Sequence, residues 1–310
     1  MLTVDNAASF SRFGDWDTIR IAVDFEFDVE LFPVGTVTDD DLTQKGDILL
    51  TSPAVEMTAK IPISVFGKIT VLADAVPGEY SGKLRIFHSF LFSKEEQIGE
   101  LSFTLTVFRY IMPEPAYWNY HLDLWQHPSN IARKAEVKLW SDDHFRVLRP
   151  YLRSLAEIGQ KSITVIAGDV PWVGQNCFLD KRAPSDLFEY NMIKVYEDKN
   201  GNLSADYSAM DKYIHLCGEC GFSENAEIEV FGLFSSWANP DHGFGPLSPE
   251  YADALRVRVQ RSEGTLDYLR QGKDLEWYIQ SFANHCKEKG WNDRVLITGD
   301  EPSDPDIFRT

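Results

Sequence analysis

The chain has 310 residues, a length that at about 150 residues per domain points to two domains. Apolar residues make up 44% and charged residues 25%, with 15 Pro and 20 Gly, which excludes the disordered, collagenous and coiled-coil classes. Acidic residues outnumber basic ones 48 to 30, for a net charge of -18, and no Lys/Arg-rich run is available to neutralise phosphates, so nucleic acid is not an expected partner.

From residue 1 to about 110 the pattern is that of strands. The start, Met1-Leu-Thr-Val-Asp-Asn, has neither a basic segment nor an apolar core, and no stretch approaches the roughly 20 apolar residues that cross a bilayer. The expectation is a cytoplasmic chain with no membrane partner. Apolar residues alternate at Ile19, Ile21, Val23, Phe25 and Phe27 in one long run from Thr18 to Leu31, and further runs cover 61–73, 82–92 and 101–110. Val76-Pro-Gly between them favours a type II turn. Short strands divided by Pro/Gly turns predict a small β-sandwich over 1–113.

Met112-Pro-Glu-Pro-Ala reads as a stiff linker, and strand and helix alternate after it, so 114–310 is a second domain. A short strand is expected over 120–125, and a helix from the N-cap Ser141 to Ile158 before Gly159. A strand over 162–167 follows, then a hairpin around Asn200-Gly201, a helix over 207–218 and a strand over 227–234. A long helix over 266–289 and a strand over 294–298 complete the series. Four strand-and-helix units in a row predict a parallel sheet, whose ligands bind at the carboxyl ends of its strands. Cys217 and Cys220 form a lone CxxC with no second pair to complete a zinc site, and no His pair has metal-ligand spacing, so neither a metal nor another cofactor is expected.

Those strand ends carry groups that are costly to bury for packing alone. The first reads His121-Leu-Asp123-Leu-Trp125, and a period of two places His121, Asp123 and Trp125 on one face. The second ends Gly168-Asp169-Val-Pro-Trp172, the third Phe234-Ser-Ser-Trp237, and the fourth Gly299-Asp300-Glu301-Pro302. Aromatic rings stack on the apolar faces of sugars, and the chain has 8 Trp, 12 Tyr and 20 Phe. Trp125, Trp172 and Trp237 are therefore candidate substrate-binding residues, with core packing as the bland alternative for each. His121, Asp123 and Asp169 join them as candidate hydrogen-bonding partners of sugar hydroxyls, although His121 and Asp123 can equally satisfy each other. Asp300 and Glu301 suit glycosidic cleavage, which uses one carboxyl as proton donor and a second as stabiliser of a cation-like transition state. The alternative is an Asp300 that caps a following helix and a Glu301 in solvent.

The stretches His121-Leu-Asp-Leu-Trp-Gln-His-Pro, Lys138-Leu-Trp-Ser-Asp-Asp-His-Phe, Lys289-Gly-Trp and Gly299-Asp-Glu-Pro together resemble the catalytic domains of glycoside hydrolase family 123 and a related domain family of unknown function. The resemblance spans about 115–310 and fits a preceding accessory sandwich. It implies a (β/α)8 TIM-like barrel that removes terminal β-linked N-acetylhexosamine, most of all N-acetylgalactosamine, with the sugar's own acetamido oxygen as nucleophile. It also implies that Asp300 orients the acetamido group and that Glu301 is general acid and then base. The expected fold is thus a β-sandwich followed by a TIM-like barrel of which about four units precede Thr310, where eight are needed for closure. An open barrel edge would invite self-association. Beside a glycosidase acting on a carbohydrate partner, the sequence leaves open a non-catalytic carbohydrate-binding protein and an inactive remnant.

Overall fold

The structure is a computed structural model and describes residues 2–5, 17–39, 41–57, 62–91, 93–171, 188–233 and 255–299. The chain divides into two compact units, Met1–Met112 and Pro113–Thr310.

The first unit is built from strands, as alternation predicts: β1 (Leu2–Asp5), β2 (Asp17–Asp24), β3 (Asp28–Thr38), β4 (Gln44–Leu49), β5 (Ala54–Val55), β6 (Val65–Thr70), β7 (Gly78–Phe90) and β8 (Glu96–Val107). They form two sheets, ordered β5-β1-β2-β7-β8 and β4-β3-β6. The single run read over 18–31 is broken at Phe25, so that β2 pairs with β7 while β3 pairs with β4 and β6. The break lets Phe25 and Phe27 pack with Phe103 and Tyr80, at ring separations of 4.9 and 4.7 Å. Gly82 lies beneath this cluster, and a β-carbon there would come within 2.3 Å of the Phe103 ring. The expected type II turn is absent: Gly78 has no positive φ and simply opens β7.

The second unit contains helices α1 (Pro128–Lys134) and α2 (Asp142–Glu157), then β9 (Ser162–Ile166), β10 (Val170–Pro171), β11 (Phe188–Glu189), β12 (Lys194–Glu197) and β13 (Leu203–Asp206). Helix α3 (Ser208–Glu219), β14 (Glu227–Phe231), β15 (Arg258–Gln260), β16 (Leu266–Tyr268), helix α4 (Gly272–Glu288) and β17 (Val295–Ile297) follow. Ser141 caps α2 by accepting a hydrogen bond from His144 N at 3.3 Å, with Asp142 and Asp143 in the first turn. Phe145, Leu148, Leu152 and Ala156 recur at helical spacing and are buried, as are Leu275, Tyr278, Phe282 and Cys286 on α4. These stripes close over the apolar side of β9 and β14, where Ile163, Val165, Ile228 and Val230 are nearly inaccessible. Each fully buried side chain of this size contributes about 2 kcal/mol.

Strands β17-β14-β9 form a three-stranded parallel sheet. The expected (β/α)8 TIM-like barrel is not what the described residues form. Their sheets are small and open: this parallel one, a two-stranded pairing of β10 with β11, and a mixed sheet β13-β12-β15-β16. Three parallel strands cannot close on themselves. Two further expectations are corrected. Residues 120–125 make only an isolated parallel bridge, Leu122 to Gln160, instead of a laddered strand. The helix expected from 266 starts at Gly272, because Leu266–Tyr268 pairs with β15 around a turn at Gly264. Among the described residues no helix is long and apolar enough to cross a membrane.

Candidate active site

One face of the parallel sheet packs on helices; the other is polar. The period of two places Ser162 and Thr164 on the polar face of β9, and Glu227, Glu229 and Phe231 on that of β14. The segment 121–126 runs beside β9 and is tied to it mainly through side chains. Gln160 accepts from Leu124 N at 2.9 Å through Oε1 and donates to Leu124 O at 3.0 Å through Nε2. Gln126 accepts from Thr164 N at 2.6 Å, while its own N–H donates to Thr164 Oγ1 at 3.0 Å. Two carboxamides thus stand in for peptide groups, which is why no ladder forms here.

Held in this way, His121, Asp123 and Trp125 do share a face, and each meets a residue of β14. His121 Nε2 is 2.9 Å from Glu227 Oε2 at one end. Trp125 packs edge-on against Phe231 at 4.9 Å at the carboxyl end. Between them lies a polar row in which Ser162 Oγ donates to Asp123 Oδ1 and Thr298 Oγ1 donates to Glu229 Oε1 at 3.0 Å. Burial, together with the neighbouring Asp123, pushes the Glu229 carboxyl up to about 7. Trp125 keeps 42% of its surface exposed.

Asp169 is placed elsewhere, after the end of β9. Its buried carboxylate accepts from Arg258 at 2.7 and 3.1 Å, from Tyr268 OH at 3.0 Å and from Asn191 N at 2.9 Å. Burial raises this carboxyl against the opposing pull of Arg258. Beside it a cleft of about 230 Å³ is lined by Trp140, Tyr190, Tyr196, Lys194, Arg258 and Gln260, among others. Trp172, Trp237, Asp300 and Glu301 lie outside the described residues.

Glu227, Glu229, Ser162, Gln126, Gln160 and Thr298 are site-forming residues that the strand-end reading passes over. Their signal is the alternation itself: Glu227-Ile-Glu229-Val-Phe231 and Ser162-Ile-Thr164-Val-Ile166 each put polar groups on one face of a strand. Tyr278 and His144 fix the chain around the strand ends. Tyr278 on α4 donates to Ala167 O at 2.6 Å and accepts from Asn191 Nδ2 at 3.1 Å. Buried His144 accepts from Trp140 N at 3.1 Å through Nδ1 and donates through Nε2 to Pro128 O at 2.9 Å, and burial pushes its pKa down. Among the described residues no group of three or more His, Cys, Asp or Glu side chains is placed to hold a metal ion. Cys217 and Cys220 are buried free thiols of α3 and its cap, both pushed up by burial.

Helices thus back one face of the parallel sheet, and carboxyls and a part-exposed tryptophan lie along the other. The family described as glycoside hydrolase 123, catalytic domain, matches residues 125–309, and the chain belongs to it. A solved structure is similar to it, from a study of glycolipid glycan hydrolysis by a family 123 glycoside hydrolase of Clostridium perfringens. The TM-score is 0.71 and the identity 19%, and the match covers 94% of this chain and 51% of that one. At that identity the likeness shows the fold, and this chain spans about half the length of the solved protein. No curated protein matches the chain.

Proposed function

We propose that the chain supplies the acid pair and one wall of the sugar site of a retaining glycoside hydrolase that removes terminal β-linked N-acetylhexosamine, N-acetylgalactosamine foremost. The observation that carries this reading is the family match over 125–309, which includes Gly299-Asp300-Glu301. In support, Thr298, two residues before Asp300, is anchored to the polar row by Glu229 and to β14 through its N–H to Val230 O at 2.9 Å.

In the first step the substrate's acetamido oxygen attacks the anomeric carbon as the glycosidic bond breaks. Glu301 gives its proton to the leaving oxygen. Asp300 accepts from the acetamido N–H and stabilises the positive charge of the oxazolinium. In the second step Glu301, now a carboxylate, takes a proton from water as that water attacks the anomeric carbon and reopens the ring with retention. The nucleophile belongs to the substrate, so two widely spaced enzyme carboxylates are not required. Trp125 offers its half-exposed ring to the apolar face of the sugar, and His121 and Asp123 offer hydrogen bonds to its hydroxyls.

The test is hydrolysis of an aryl N-acetyl-β-galactosaminide by the wild-type chain, Glu301→Gln and Asp300→Asn. Turnover should fall by roughly 100-fold or more in both variants with folding unchanged, the scale of losing a proton donor or a charge stabiliser. Retained turnover in Glu301→Gln would overturn the mechanism. Saturable sugar binding that survives both substitutions without product would favour a non-catalytic binding protein, a reading that the exposed Trp125 equally supports.

A further inference from the structure

Glu229 presents an unusual pattern of partners. It is only 8% exposed, on the polar face of β14 beside buried Ser162 and Thr164. Oε1 accepts from Thr298, whereas Oε2 is buried with no donor in reach. The group beside it is Asp123, itself an acceptor from Ser162. A buried carboxylate oxygen directed at a second carboxylate costs several kcal/mol unless something is held between them. Among the described residues no Lys or Arg fills that role. Among the described residues the titratable groups on this face are Asp123, Glu227 and His121, and His121 is engaged by Glu227. Strand β9 contributes only the hydroxyls of Ser162 and Thr164, and the β17 side contributes Leu296 and Thr298.

We infer that Asp123 and Glu229 hold a single proton between them, and that this pair is a positioning element for the strand end carrying Asp300 and Glu301. The proton sits on Glu229 Oε2 and is donated to the Asp123 carboxylate. This satisfies the buried Oε2 of Glu229 and leaves one negative charge where two would repel. Glu229 Oε1 stays free to accept from Thr298 and so fixes the residue two positions before Asp300. When the proton leaves, the two carboxylates repel and Glu229 shifts, and Thr298, whose hydroxyl binds the carboxylate form the more strongly, shifts with it. The positioning role rests on the assignment of Asp300 and Glu301 to the reaction; the shared proton does not.

The experiment is a pH titration of the full chain followed by the carboxyl carbons of Glu229 and Asp123, and by the backbone amides of Thr298 and Gly299. Glu229 should titrate well above the ordinary glutamate value of 4.5, and the two amides should move with the same midpoint. Asp123→Asn should lower the Glu229 midpoint by about one pH unit or more, since the opposing charge is gone. Thr298→Val should leave the Glu229 midpoint high while uncoupling the Gly299 amide from it. Glu189→Gln should change neither, which separates this titration from that of the other buried glutamate. An ordinary glutamate midpoint, or amides in the wild type that ignore it, would overturn the inference. If Glu229→Gln, used for assignment, does not fold, the wild type and Asp123→Asn still decide the question. Because the titration reads the pair directly, its failure leaves the assignment of Asp300 and Glu301 intact, while turnover retained in Glu301→Gln would remove that assignment without altering the titration.

Discussion

Gly168 and Gly232 approach so closely beyond the ends of β9 and β14 that a β-carbon on Gly168 would lie 2.4 Å from the Gly232 carbonyl oxygen. Gly232 has a φ of +85°, and its own β-carbon would meet Gly168 backbone at 2.6 Å. The contact is backbone on backbone, so no side chain can swing aside. Gly168→Ala should therefore destabilise the chain by about 3 kcal/mol or more. Gly201→Ala is the comparison: its φ is +82° but nothing lies within 4 Å, so only the left-handed backbone penalty of about 1 kcal/mol applies. Urea unfolding midpoints should separate the two variants clearly; equal costs would mean that the strand ends part without penalty.

Glu189 should tilt stability against pH. Its carboxyl is fully buried, accepts from Ser129 N at 2.9 Å and Asn130 N at 3.1 Å, and burial outweighs these donors to raise it from 4.5 to about 7. Between those values the folded state binds the proton and the unfolded state does not, so this contribution is complete below about 4.5 and is lost as pH rises through about 7. The full span is on the order of 3 kcal/mol. His127 and His144, both lowered by burial, tilt the opposite way, because their stabilisation is lost as pH falls below the ordinary histidine value of 6.5. The measurement is therefore the difference in unfolding free energy between wild type and Glu189→Gln at pH 5 and pH 8. That difference should shrink at the higher pH, and a constant difference would show that Glu189 is ionised throughout.

His144 joins the start of α1 to the start of α2, and its ring lies 5.0 Å from that of Trp140. His144→Ala removes a fully buried ring and leaves Pro128 O and Trp140 N without partners, which should cost about 3–4 kcal/mol. His144→Phe restores the volume but not the bonds, and should recover only about half of that loss. Thermal unfolding of the two variants distinguishes packing from hydrogen bonding.

Trp125→Ala should weaken saccharide binding by roughly tenfold, the scale of one lost aromatic contact. The effect belongs in KM more than in kcat, because stacking serves substrate and transition state alike. Trp125→Phe should retain most of the affinity. An unchanged KM in Trp125→Ala would return Trp125 to the role of a packing partner for Phe231.

Periodicity revealed much of this. Strands β2, β3, β6, β7 and β8, the cap at Ser141, the strand expected over 227–234 and found as β14, and the Asn200-Gly201 hairpin follow from local chemistry, since each depends on residues within a few positions. The grouping of His121, Asp123 and Trp125 on one face follows from alternation, although the segment is bridged instead of laddered. What stayed hidden depends on partners remote in sequence. Nothing near Gln126 or Gln160 shows that their amides will pair with a neighbouring segment 36 or 38 residues away. The same applies to Asp169, whose carboxylate is met by Arg258, 89 residues on. The barrel was what the family resemblance implied, and the small open sheets of the described residues correct it. Leu266–Tyr268 joined α4 in the helical reading because its pairing with β15 is invisible to a helical window.

The reciprocal bonding of Gln160 to Leu124 makes a side chain the gauge of a strand's register. An ordinary ladder can slip by two residues and re-form, because every peptide group offers the same donor and acceptor. The Gln160 carboxamide, which also donates to Ser162 O at 3.1 Å, meets Leu124 through both its N–H and its C=O, so the segment bearing His121, Asp123 and Trp125 is pinned at one setting. Shortening the side chain by one carbon, as in Gln160→Asn, would leave the fold's hydrophobic pattern untouched and still put the side chains of His121, Asp123 and Trp125 out of alignment with β14.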